Sequence, residues 1–112
     1  MVLEDAGIKG IQKEFGSLEK EMKRLGFVRW AWDYDKASFD MKFEGKESDY
    51  YLRIQAHVIQ GKLENPKAVV EMDHPVFLRH IFPHGLDPDT EIPEEFKKTV
   101  DEVLGKVKET IA

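Results

Sequence analysis

Three groups of residues have side chains of the kind that do chemistry. The first is His74, His80 and His84, with Asp73, Asp87, Asp89 and Glu91 near them in the chain. His80 and His84 are four positions apart, a spacing that lets two imidazoles on one helical face chelate Zn²⁺. Pro83 falls between them and opposes a regular helix across the pair, and no Glu follows His80 as a metalloprotease helix requires. Loop histidines bonded to backbone groups are the simpler reading, and neither a metal nor a cofactor is expected. The second group, Asp87-Pro88-Asp89-Thr90-Glu91, has acidic residues at alternate positions like the start of a calcium loop. The match fails at Ile92, where such a loop needs Gly, and at Lys98, where it needs a bidentate Glu. This segment reads as the flank of the helix that follows.

The third group is Trp30, Trp32, Asp33, Tyr34, Tyr50, Tyr51 and Arg53. If neighbouring strands bring these rings and the guanidinium to one face, they make a surface for a planar or anionic partner. Large aromatics on strands more often fill space beneath a covering helix, and Asp33 with Arg53 reads more simply as an ion pair. No phosphate-binding glycine loop, dinucleotide fingerprint or G-x-S-x-G elbow occurs, and no residue is assigned a catalytic role.

These side chains have to be positioned by a chain of 112 residues, which is expected to form one domain over residues 1–112 around one core. With no cysteine there are no disulfides and no thiolate chemistry. The start, Met1-Val2-Leu3-Glu4-Asp5, is acidic where a signal peptide is basic, and no run reaches membrane-spanning length. A cytoplasmic address is expected, with no membrane partner. Acidic residues outnumber basic ones by 22 to 17, giving a net charge of −5 without a Lys/Arg stripe, so no nucleic-acid partner is expected.

The periodicity predicts a first strand within Ile8 to Phe15, then a helix over 18–25 with Ser17 as its N-cap and Gly26 as its left-handed stop. Val28, Trp30, Trp32 and Tyr34 share one parity; a turn at Asp35-Lys36 leads to Phe39, Met41 and Phe43, which alternate with charged residues. The strand from Tyr50 to Gln60 turns Leu52, Ile54, Ala56 and Val58 one way and Tyr51, Arg53, Gln55 and His57 the other. Ala68 to Met72 makes a further strand, Asp73-His74-Pro75 ends it, and Val76 to Thr90 receives no regular element. A helix over 93–110 carries one apolar stripe, Phe96, Val100, Val103, Leu104, Val107 and Ile111, with Gly105 inside it as a mark of close packing. Two amphipathic helices and a meander with one dry face combine into an α+β fold: four or five antiparallel strands with both helices on one side.

Leu25-Gly26-Phe27-Val28, Trp32-Asp33-Tyr34, Tyr50-Tyr51-Leu52-Arg53, Ala68-Val69-Val70 and His80-Ile81-Phe82-Pro83-His84-Gly85 follow one another in an order that resembles the YugN-like family of Bacillus-type bacteria. The resemblance runs from Gly7 into the last helix. Ile81-Phe82 stands where the family pattern has a pair of tyrosines, and Arg79 where it has Lys. The resemblance implies a small bacterial α+β domain and no particular activity. It draws Trp32, Asp33, Arg53, His80, His84 and Gly85 together as the residues that carry the match. With Tyr51 added from the strand pattern, Trp32, Asp33, Tyr51, Arg53, His80 and His84 are the expected ligand-binding residues. The expected function is a non-enzymatic binding or protein-interaction domain, with a protein or small-molecule partner or self-association into a homo-oligomer. The alternative is a small metal-dependent or acid/base enzyme using His80, His84 and Arg53.

Overall fold

The computed structural model describes residues 1–32, 35–63, 65–81 and 85–111, without the side chains of residues 30–32. Helix α1 covers Phe15–Arg24 and buries Phe15, Leu18 and Met22. Gly26 ends it at φ 101°. The N–H of Phe27 donates to the Met22 carbonyl at 2.9 Å and that of Gly26 to Lys23 at 3.0 Å, the double closure that a left-handed residue permits. The start differs from expectation. Ser17 lies inside the first turn, and Glu14 at the cap position makes no side-chain bond. The free N–H groups of Phe15 and Gly16 instead donate to the carbonyls of Ala68 and Pro66, at 2.7 and 2.8 Å. A loop distant in sequence replaces the capping side chain, so local residue types do not reveal the boundary.

Helix α2 covers Glu94–Ile111 and buries Val100, Leu104, Val107 and Ile111. Phe96 in its first turn meets the rings of Phe43 and Tyr50 at 5.4 and 5.8 Å. Tyr50 in turn stacks on Phe77 at 5.5 Å. These rings tie the helix to three strands at offset and tilted geometries that aromatic quadrupoles favour.

The antiparallel sheet has seven strands among the described residues: β1 Gln12–Glu14, β2 Val28–Trp32, β3 Lys36–Glu44, β4 Asp49–Gln60, β5 Val69–Met72, β6 Val76–Ile81 and β7 Gly85–Asp87. A short 3-10 turn at Glu4–Ala6 precedes them. The main order is β1-β5-β4-β3-β2, with β6 on β4 and β7 on β6. The α+β architecture with a long final helix is as expected, and the strand count is larger. The first strand is shorter than Ile8 to Phe15, although Ile8 itself is fully buried.

The added strands come from the stretch that showed no periodicity. β5 and β6 lie end to end along the same edge of β4, β5 on its second half and β6 on its first. Between the pairs Arg53↔Val76 and Ala56↔Met72, β4 advances three residues and the other chain four. The extra residue forms a bulge at Asp73-His74-Pro75, where the Asp73 N–H still donates to the Gln55 carbonyl at 2.9 Å. Pro75 therefore interrupts pairing without ending it, since a proline is tolerated just before a strand.

The core gathers Phe39, Leu52, Ile54, Val70, Met72 and Phe77 from the sheet with the buried residues of both helices. No helix of the described residues is long and apolar enough to cross a membrane.

Gly16 and Gly105 are both helical, and their surroundings are opposite. A Cβ on Gly16 would stand 2.7 Å from the Pro66 Cβ and 3.1 Å from its carbonyl oxygen. The loop that caps α1 needs that space. Around Gly105 nothing lies within 4 Å of a Cβ, so the close packing expected there is absent. Gly105→Ala should raise stability by about 1 kcal/mol through helix propensity alone, and Gly16→Ala should lower it by about 1–3 kcal/mol through overpacking. Urea denaturation of the two variants beside the parent chain measures both signs.

Candidate functional site

Strand β4 places alternate residues on two faces. Leu52, Ile54 and Ala56 are fully buried beneath the helices. Tyr51, Arg53, Gln55 and His57 lie on the opposite face, and three of them meet polar partners across the ladders. Arg53 is directly opposite Asp40 on β3, and its Nε and Nη2 donate to Asp40 Oδ1 and Oδ2, both at 2.8 Å. Gln55 Nε2 donates to Ser38 Oγ at 2.8 Å. His57 sits between β3 and β5 with Nδ1 3.0 Å from Asp73 Oδ1 and Nε2 3.1 Å from Glu71 Oε2. A neutral imidazole has one N–H, so only the protonated ring donates to both carboxylates.

The Asp40–Arg53 pair is largely withdrawn from solvent: the side chains are 6% and 18% exposed. Its hydrogen bonds hold the Arg53 guanidinium above its already high ordinary pKa, against the opposing effect of partial burial. Arg53 is thus charged throughout the accessible pH range, and its charge is met by a forked carboxylate.

Beside this pair is a cavity of about 230 Å³ lined by Asp40, Tyr51, Arg53, His80, Gly85 and Leu86. Tyr51 comes from β4, opposite Leu78 of β6; His80 comes two residues further along β6, opposite Leu86 of β7. The Tyr51 and His80 rings meet edge to face with centroids 6.3 Å apart. Strands β6 and β7, assigned no regular structure from sequence, therefore supply half of the lining.

Of the residues singled out by sequence, Tyr51, Arg53, His80 and Gly85 converge on this cavity. Trp32 ends β2 opposite Ala37, and its side chain is outside the description. Asp33 and His84 lie outside the described residues, as does Tyr34. The carboxylate found on Arg53 is Asp40; the pairing of Asp33 with Arg53 suggested by the sequence falls on a residue outside the description. Among the described residues no three His, Asp or Glu side chains gather as metal ligands. Asp87 ends β7, and its Oδ1 accepts the Asp89 N–H at 2.9 Å in a local turn.

Sequence reasoning missed Asp40 and Leu86, and placed His57 on this face without its carboxylate partners. A signal for Asp40 was available: a hairpin closed by the tight turn after Glu44 puts Glu44 opposite Asp49, and counting back along both strands puts Asp40 opposite Arg53. For Leu86 there was none, because its partner strand was not recognised.

The ion pair generates a double test. Asp40→Ala should cost about 3 kcal/mol by leaving the Arg53 charge without its partner in a poorly solvated position. Replacing both members, Asp40→Leu with Arg53→Met, should recover most of that loss. Chemical denaturation of the single and double variants checks this; a double variant no better than the single would trace the loss to packing instead of charge.

The profile of the YugN-like family matches residues 4–110. YlbA of Bacillus subtilis (strain 168) is 32% identical over 84 residues, 74% of this chain and 70% of that protein. YugN of the same strain is 36% identical over 75 residues, 66% of this chain and 56% of that protein. The crystal structure of YugN from Geobacillus kaustophilus HTA426 superposes with a TM-score of 0.87 at 33% identity, covering 99% of this chain and 94% of that one. Agreement of the profile over nearly the full length with a shared fold at this identity means that the chain belongs to the YugN-like family.

Proposed function

We propose that this protein is a non-enzymatic interaction domain that receives one apolar side chain of a protein partner in the cavity between Tyr51, Arg53, His80 and Leu86. The observation that carries the reading is a cavity of about 230 Å³ on the sheet face opposite the helices, walled by a tyrosine, a leucine and a glycine beside a fixed cation. Cofactor and drug-sized pockets span roughly 300–1,000 Å³. This one suits a single anchoring side chain, the kind of contact that dominates binding energy in protein interfaces. The Asp40 fork occupies Nε and Nη2 of Arg53, and among the described residues the donors of Nη1 are left for a carbonyl on the partner.

The enzymatic alternative built on His80, His84 and Arg53 draws less support, because Asp40 already neutralises the arginine that would orient an anionic substrate. A cysteine-free composition supports a cytoplasmic setting for the interaction. A second copy of the chain is the competing occupant.

Panning a displayed peptide library against the full chain tests the proposal. Enriched peptides should share one aromatic or branched apolar residue, and Tyr51→Ala, with an unchanged circular-dichroism spectrum, should weaken them about tenfold or more. Peptides that bind Tyr51→Ala equally well, or no enrichment at all, would sink the reading. A particle mass that rises with concentration in light scattering, and is held at the monomer by Tyr51→Ala, would replace the partner by a second copy.

A further inference from the structure

We infer that the chain carries a second binding site, for a small molecule bearing one carboxylate, where Arg79 faces the β3–β4 turn. A cavity of about 530 Å³ opens there, lined by turn residues that include Lys46, Glu47 and Asp49 and by Arg79 and Ile81 of β6. It is distinct from the pocket of the proposed function, although His80 borders both.

Arg79 stands opposite Tyr50 on β4 and Asp87 on β7. It differs from Arg53 in how its guanidinium is met. Arg53 has a forked carboxylate; the Arg79 Nε is shut off from solvent with no hydrogen-bond partner among the described residues. Among the described residues no carboxylate forms an ion pair with its guanidinium. The Asp87 carboxylate across the ladder is engaged by the Asp89 N–H. Buried N–H groups are seldom left unmet in folded proteins, because desolvation without a replacement bond is costly, most of all for a charged donor. A carboxylate in the cavity that draws the guanidinium fork outward by a small rotation of the Arg79 side chain removes that penalty.

The charges around the cavity select the acceptor. Lys46 and Arg79 face it with Glu47 and Asp49, and Asp49 also lies 3.6 Å from Lys42. With Lys42 counted, three bases stand against two acids, a net charge of +1 that one negative charge cancels and a second exceeds. A carboxylate brings one charge and two coplanar oxygens that match the guanidinium fork. Inorganic phosphate near neutral pH carries between one and two charges and meets both acids.

The wall of the cavity is preformed. The Gly45 N–H donates to the Ser48 carbonyl at 3.0 Å, and a Cβ at Gly45 would stand 2.6 Å from that oxygen. A turn closed this tightly loses little freedom when a ligand lands on it.

Titration of the isotope-labelled full chain with butyrate, and separately with inorganic phosphate, at constant ionic strength tests the site by NMR. Butyrate should shift the Arg79 Nε–H and the amides of residues 46–49 along one saturating curve, while the Arg53 Nε–H stays in place. Arg79→Lys keeps the charge, loses the fork and should weaken butyrate about tenfold or more. Shifts that fail to saturate would mean that no specific complex forms at Arg79 and would overturn the site. Phosphate binding as tightly as butyrate would overturn the carboxylate assignment. A response at Arg53 in place of Arg79 would overturn the site too, by moving the ligand to the other pocket; because each arginine reports separately, failure here leaves the interaction proposal standing.

Discussion

Strand β4 has to satisfy two incompatible surroundings at once, and the two-residue period of an extended chain is what allows it. Its even-numbered residues, Leu52, Ile54 and Ala56, lie beneath two helices with no contact to water. Its odd-numbered residues face a side that no helix covers, where Arg53, Gln55 and His57 all end in hydrogen bonds. The rest of the sheet follows from this strand. It pairs with β3 along one edge and with β5 and β6 in succession along the other, so every other strand is anchored to it directly or through one neighbour.

The Asp40–Arg53 pair is better understood as a device for register than as a source of stability. Removing two charges from water costs about what their attraction returns, so such a pair adds little net free energy. It discriminates strongly between alternative pairings. A slip of one residue would turn the apolar set of β4 toward the open face. A slip of two would place Arg53 opposite Lys42 or Ser38, exchanging a forked carboxylate for a like charge or a hydroxyl. The Gln55–Ser38 bond repeats the constraint one step along the ladder.

Family membership accounts for the architecture and leaves the activity to the sites, as expected when one fold serves many purposes. Both cavities depend on β6, a short strand after a proline: Arg79 lines the hollow at the β3–β4 turn, and His80 lies between that hollow and the one it shares with Tyr51 and Leu86. The bulge at Asp73-His74-Pro75 aims these residues. Had β5 and β6 formed one uninterrupted ladder on β4, the parity of every β6 residue would be reversed.

How much of this was legible in the residues depends on how local each cause is. The α2 stripe, the Gly26 stop and the alternation of β4 were plain, because each follows from side-chain spacing within one element and the backbone geometry of a single glycine. Tyr51 and Arg53 were found for the same reason, and Asp40 could have been, since a hairpin's register follows from its turn. The start of α1 was hidden because its cap is a pair of carbonyls some fifty residues away. Strands β6 and β7 were hidden because their pairing energy resides in β4 and in each other, with proline punctuation that argues locally against any strand. Alternation along the chain is a property of the sequence; which alternating segments become neighbours, and hence which hollows form between them, is decided only when long-range ladders close.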